Sequence, residues 1–114
     1  MKLIKVKELP GEMPPGHYDL VGRRMMDLSM GSKATRAFLI RMDPTGRTDG
    51  HSHAESEQLF YVLKGELLVK GDKEEFRVGE GEAAFVFGGD PHQILNGINA
   101  PTEYIVFTSS CTKS

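Results

Sequence analysis

Hydrophobic positions in this chain come in short runs, each closed by Gly, Pro, Asn or Asp, and none keeps a helical period long enough to predict a helix. Alternation of period two predicts strands instead. Residues 1–6 alternate and read as an edge strand. Residues 9–18 are rich in Pro and Gly and are expected to be irregular, and residues 25–28 form a weak apolar patch. Residues 35–42 (TRAFLIRM) predict a strong strand, ended by Asp43-Pro44-Thr45-Gly46. Residues 58–63 (QLFYVL) predict another, ended by Lys64-Gly65. Residues 66–69 lead into Lys70-Gly71-Asp72-Lys73, a hairpin turn, and residues 75–78 return. Residues 83–87, then 92–95 after Gly88-Gly89-Asp90-Pro91, and finally 102–108 complete the series. The polar tail, 109–114, is expected to be loose. Strands at such spacing, with no segment able to supply a helical crossover, predict an all-β sandwich or barrel.

Length and composition narrow the class. At 114 residues the chain is expected to be a single domain, 1–114, large enough to bury a core without disulfides. Hydrophobic residues at 39% and charged residues at 26% are ordinary for a globular protein and disfavour disorder, collagen and coiled coil. The net charge is −2, with signs alternating along the chain, so there is no basic stripe for nucleic acid. No apolar run approaches the ~20 residues of a membrane span. The start, MKLIKVKELP, lacks the unbroken apolar stretch of a signal peptide. The single Cys111 excludes an internal disulfide and a cysteine-based zinc cluster. Cytoplasmic residence is expected. All six methionines fall at or before Met42, which reads as soft packing near the amino end.

The candidate chemistry lies in the histidines. His51-Ser52-His53 places two imidazoles on one face of an extended chain. Gln58 lies at an odd spacing from His53, so it joins them only if a turn or bulge near residues 54–56 restores the face. His92 follows the Gly-Gly-Asp-Pro turn. Three imidazoles and one amide oxygen suit one divalent transition metal: Mn, Fe, Ni, Co, Cu or Zn. Four neutral ligands would leave the ion its full charge, favouring an anionic or chelating substrate.

The frame around these residues resembles the cupin family. Its first motif runs Gly, five residues, His-x-His, three or four residues, Glu, six residues, Gly. This chain reads Gly46, four residues, His51-Ser52-His53, four residues, Gln58, six residues, Gly65. The second runs Gly, five residues, Pro-x-Gly, two residues, His, three residues, Asn. Here it reads Gly81, five residues, Phe87-Gly88-Gly89, two residues, His92, three residues, Asn96. The motifs thus span about 46–65 and 81–96. Phe87 replaces a Pro, and Gln58 replaces the metal-binding Glu. The resemblance implies a double-stranded β-helix, or jelly-roll barrel, with the metal held by His51, His53, Gln58 and His92. The ligand spacing resembles that of the uronate-linearising pectin-degradation cupins. Small cupins are often dimers, so the resemblance also implies a homodimer.

If Gln58 faces inward, period two turns Phe60 and Val62 inward and leaves Leu59, Tyr61 and Leu63 for an outer layer or a subunit contact. Arg36, Phe38, Ile40 and Met42 share one face of their strand, and Ala37, Leu39 and Arg41 the other. Either arginine could clamp a substrate carboxylate or pair on the surface, with Arg36 favoured because its face holds the larger hydrophobes. Arg36, Phe60 and Phe87 are the candidate substrate-pocket residues. His17 reads as a loop histidine and Asn96 as a turn-fixing side chain. Glu57 should point away from the site, while Glu103 or Tyr104 could reach the pocket mouth. No general acid or base is identified.

Three functions fit. One is a metal-dependent enzyme acting on a small oxygen-rich substrate, a sugar acid or keto acid, by isomerisation, ring opening, lyase or dioxygenase chemistry. Another is a non-catalytic small-molecule-binding barrel. The third is a barrel whose histidines bond only to each other or to water.

Overall fold

A computed structural model of the chain describes residues 1–50, 52 and 56–110. Eight strands carry the fold: β1 (His17–Met26), β2 (Thr35–Thr48), β3 (Ser56–Lys64), β4 (Glu66–Gly71), β5 (Glu75–Gly79), β6 (Ala83–Val86), β7 (His92–Asn96) and β8 (Thr102–Ser110). Among the described residues there is no α-helix, only 3-10 turns at Val6–Glu8 and Leu28–Met30. Among the described residues no helix is long and apolar enough to cross a membrane.

The strands pair antiparallel in the order β5-β4-β7-β2-β8-β3-β6, with β1 added beside β2. Non-consecutive neighbours in that order mark the crossovers of a jelly roll. The turn between β5 and β6 is stitched to β3, because Gly81 N–H donates to Val62 O and Val62 N–H donates to Glu82 O. The result is an all-β, nearly closed barrel. Alternation fills it: Ile40 and Met42 from β2, Phe60 and Val62 from β3, Leu67 and Val69 from β4, and Ile94 and Tyr104 from β7 and β8 are all buried. As expected from the pattern, Leu59, Tyr61 and Leu63 face outward.

Four local expectations fail, each for a physical reason. No strand forms at residues 1–6; Leu3 is exposed, and alternation there has no core to face. The first strand is instead β1, whose pattern is broken by Asp19, Gly22, Arg23 and Arg24. Its outer edge is not bare. Glu12 and Gly22 exchange two backbone hydrogen bonds, at 2.8 and 2.7 Å, and the Arg23 guanidinium donates to Leu9 O.

β2 does not stop at Asp43. It continues to Thr48 through a bulge: Leu20 opposes Met42 and Tyr18 opposes Arg47, so a single β1 residue, Asp19, spans residues 43–46. Asp19 holds a positive φ of 53° and accepts a hydrogen bond from Thr45 Oγ1 at 2.8 Å. Gly46 is required inside this bulge, since a Cβ there would lie 2.0 Å from Met42 Cγ. The methionines do not form an amino-end core: Met42 is fully buried, while Met1, Met13 and Met26 are exposed. Finally, Ser109 and Ser110 are not loose but belong to β8, opposite Thr35 and Ser56.

Candidate metal centre and its cavities

Two of the candidate ligands meet inside the barrel. Gln58 sits on β3 and His92 opens β7, and β2 and β8 separate those strands in the sheet. Their side chains therefore converge across the lumen, with Gln58 Oε1 at 2.8 Å from His92 Nε2. His92 is buried. The sequence placed Gln58, Phe60 and Val62 on one inward face, and the burial of Phe60 and Val62 agrees. His51 and His53 lie outside the described residues. Among the described residues no group of three His, Cys, Asp or Glu side chains gathers.

Each member of the pair is oriented by a further bond. His92 Nδ1 donates to Asp90 O at 2.9 Å, in the turn where Gly89 takes a φ of 88°. That bond places the ring proton on Nδ1 and turns the Nε2 lone pair toward Gln58. Gln58 Nε2 donates to Thr108 Oγ1 at 3.0 Å, so its Oε1 faces His92. With that tautomer the Nε2 lone pair and the Gln58 Oε1 face each other, the disposition of two ligands aimed at a common cation. Two donors ~2.1 Å from one ion and at right angles to each other lie about 3.0 Å apart, so the spacing fits two ligands of one metal.

The neighbours are less reactive. Phe60 packs its ring edge-on to His92, with centroids 6.2 Å apart, and tilts against Tyr104 at 6.1 Å. It forms the floor under His92. Tyr104 does not reach the pocket mouth; it is buried in the core, and burial pushes its hydroxyl well above the usual phenol range. Glu103 turns outward and pairs with Arg41 at 3.7 Å. Asn96 is a structural clasp. Its Nδ2 lies within hydrogen-bond distance of Met42 O, Asp43 O and Ala100 O, and its Oδ1 accepts from Ile98 N–H and Thr102 Oγ1.

The Gln58–His92 pair stands between two cavities. On the His92 side, about 390 Å³ opens between β5 and β6, with Phe87 in its wall. On the Gln58 side, about 280 Å³ is lined by Arg36, Phe38, Ile40, Thr108 and His17. The sequence reading took His17 for a loop residue. The structure makes it the first residue of β1, opposite Thr48 and inside this second cavity. No local signal marks it, because its position depends on how residues 14–17 fold over the barrel mouth. Thr108 was missed for the same reason: it meets Gln58 through strand register across fifty positions of chain.

Comparison with known proteins agrees with this architecture. Residues 38–108 match a family model described as Cupin domain. The Streptomyces glaucescens tetracenomycin polyketide synthase protein TcmJ is 35% identical over 74 residues, 63% of this chain and 50% of that protein. The chain spans about half the length of the curated relatives it matches. Among solved structures, the polyketide cyclase RemF from Streptomyces resistomycificus superposes with a TM-score of 0.83 at 27% identity, covering 98% of this chain and 80% of RemF. A sugar phosphate isomerase from Silicibacter pomeroyi shares the fold, with a TM-score of 0.78 at 21% identity, over 95% of this chain and 75% of that one.

Proposed function

The chain belongs to the cupin family, and on that footing we propose that it is a metal-dependent enzyme acting on a small oxygen-rich substrate. The observation that carries the reading is the meeting of Gln58 Oε1 and His92 Nε2 at 2.8 Å across the barrel. His51 and His53 complete the ligand set in this proposal. A bound divalent ion, one of Mn, Fe, Ni, Co, Cu or Zn, would supply Lewis-acid polarisation of a chelating substrate, or dioxygen chemistry if it is Fe(II).

The chain's own residues position and enclose. Asp90 O holds the His92 ring, Thr108 holds the Gln58 amide, and Phe60 closes the floor. Phe87 and Arg36 are the substrate-facing residues of the two cavities. Two relatives carry names from polyketide assembly. Polyketide intermediates carry 1,3-dicarbonyl groups, which chelate metals and enolise, and 2-oxo acids chelate in the same way. This supports a keto substrate over a sugar acid. The proposal includes a cytoplasmic homodimer formed through the outer face of β3.

Elemental analysis of purified protein tests the centre, with His92→Ala as control. Stoichiometric metal in the parent, lost in the variant, supports it; no metal in either after loading overturns it. Turnover of simple 2-oxo acids and 1,3-diketones by metal-loaded protein then separates an enzyme from a binding barrel, which would saturate without product.

A further inference from the structure

We propose that the cavity on the Gln58 side is a carboxylate subsite built on Arg36, for a small acid with an apolar body. This deepens the functional reading by naming the substrate's charged end, and it rests on that reading for the neighbouring metal.

Five of the six arginines are engaged. Arg24 pairs with Glu12 and Asp27, Arg41 with Glu103, Arg47 with Asp19, and Arg77 with Glu66, while Arg23 donates to a backbone carbonyl. Arg36 alone has no ion pair or hydrogen bond among the described residues. It nevertheless lies on the inward-facing side of β2, in register with Phe38 and Ile40, and exposure falls along that face from Arg36 through Phe38 to the buried Ile40. The guanidinium therefore stands at the rim of a cavity whose wall runs inward over apolar side chains.

The charge of the lining points the same way. The two cavities that reach His92 contain Glu74, joined by Glu82 and Asp90 in one and by Asp72 and Glu75 in the other. Among the described residues the Arg36 cavity contains no carboxylate. Its polar lining is Arg36, His17, Ser56, Gln58 and Thr108, and its apolar lining includes Phe38, Ile40 and Val106. His17 Nδ1 donates to Pro15 O at 3.0 Å, which fixes the ring against the cavity as part of its wall. A planar carboxylate matches the fork of the Arg36 guanidinium bidentately. At about 280 Å³ the space sits at the small end of ligand pockets, which run from ~300 Å³ upward. An acid bound this way has its body on Phe38 and Ile40 and its far end toward Gln58.

Benzoate and its neutral isostere benzamide separate charge recognition from apolar filling. Both are titrated into metal-stripped protein and followed by amide and side-chain NMR shifts. Benzoate is expected to move the signals of Arg36, Gln58 and Thr108, and benzamide to leave them in place. Arg36→Gln should weaken benzoate about tenfold or more, and Arg36→Lys, which keeps charge but not the fork, by a smaller factor. His17→Ala, which removes only part of the wall, should cost no more than about threefold. Arg41→Gln, on the outer face, should change nothing. Equal binding of benzamide, unchanged binding by Arg36→Gln, or no benzoate shifts in folded parent protein each overturn the subsite. Metal content measured on the same preparations keeps the two readings apart. Benzoate binding without metal uptake sinks the metal centre alone, and metal uptake without benzoate binding sinks the subsite alone.

Discussion

Gln58 Nε2 donates to Thr108 Oγ1 at 3.0 Å, and with that bond made the Oε1 end of the Gln58 amide faces His92. The two residues are direct partners in the β3–β8 register, so the orientation is built into the sheet. Without a hydrogen-bonding partner at position 108 the amide loses its anchor and can present its NH2 group to the Nε2 lone pair. That turn removes a metal ligand while leaving a good hydrogen bond in the apo protein. Thr108→Val is close to isosteric and removes the hydroxyl. It should weaken metal binding about 10- to 100-fold, while stability changes by less than about 1 kcal/mol. Competition against a chelator measures the first and thermal melting the second. Thr108→Ser should restore affinity, and parental affinity in the Val variant contradicts the orienting role.

The neutral amide at position 58 has an electrostatic consequence. Gln58→Glu adds a negative charge beside His92 and at the inner end of the Arg36 cavity. Divalent metal should bind more tightly, because a carboxylate offsets ion charge that an amide leaves uncompensated. Benzoate should bind several-fold more weakly to the same variant, since like charges now share the cavity. Both quantities are accessible by calorimetry, and a parallel rise in the two affinities would refute the account.

How much of this was legible in the sequence depended on the range of each interaction. β3 to β8 were visible to within two residues at either end, because alternation and turn residues are local signals. β1 was invisible because its polar residues are held by partners outside the strand. Arg24 reaches Glu12 and Asp27 and lies over the Phe38 ring at 5.3 Å, so residues that read as loop are accommodated in a strand. Gln58 and His92 were found by motif spacing, and their contact shows that the spacing encodes convergence across the lumen. Thr108 and His17 carry no motif, and only the strand register and the fold of residues 14–17 bring them to the site.

An apolar stripe covers the outside of β3. Leu59, Tyr61 and Leu63 are exposed, and Leu59 stands opposite the exposed Phe85 on β6. A homodimer through this face buries a patch that is otherwise hydrated. Tyr61→Lys should convert dimer to monomer in sedimentation velocity with little change in fold. A monomeric parent, or a variant that stays dimeric, rules this interface out.

Asn96 ties three segments with one side chain: the end of β7, the start of the β2 bulge at Met42 and Asp43, and the 96–102 loop through Ile98, Ala100 and Thr102. Asn96→Ala leaves several backbone groups and the buried Thr102 hydroxyl with fewer partners. The expected cost is about 2 kcal/mol or more in denaturant unfolding. Asn96→Asp keeps the acceptor but loses the donors, so it should recover only part of the loss. Metal affinity per folded molecule should hold, because Asn96 touches neither Gln58 nor His92. A selective loss of metal would show that its role is not structural.

Asp27 should govern part of the acid stability. Its carboxylate accepts from Ser29 Oγ at 2.6 Å and from the Arg24 guanidinium at 2.6 Å, and those bonds, led by Ser29, hold it below the usual carboxylate range despite burial. A pKa lower in the folded than in the unfolded state stabilises the fold above the unfolded value, ~3.9, and that stabilisation is lost as pH falls through the folded one. Asp27→Asn cannot titrate. Melting temperature measured from neutral pH downward should therefore fall less steeply below about pH 4 in the variant than in the parent. The two curves should also converge toward acid, with the parent more stable at neutral pH. Curves that run parallel through this range would show that the Asp27 carboxyl titrates at the same pH folded and unfolded, contrary to the hydrogen bonds that Ser29 and Arg24 make to it.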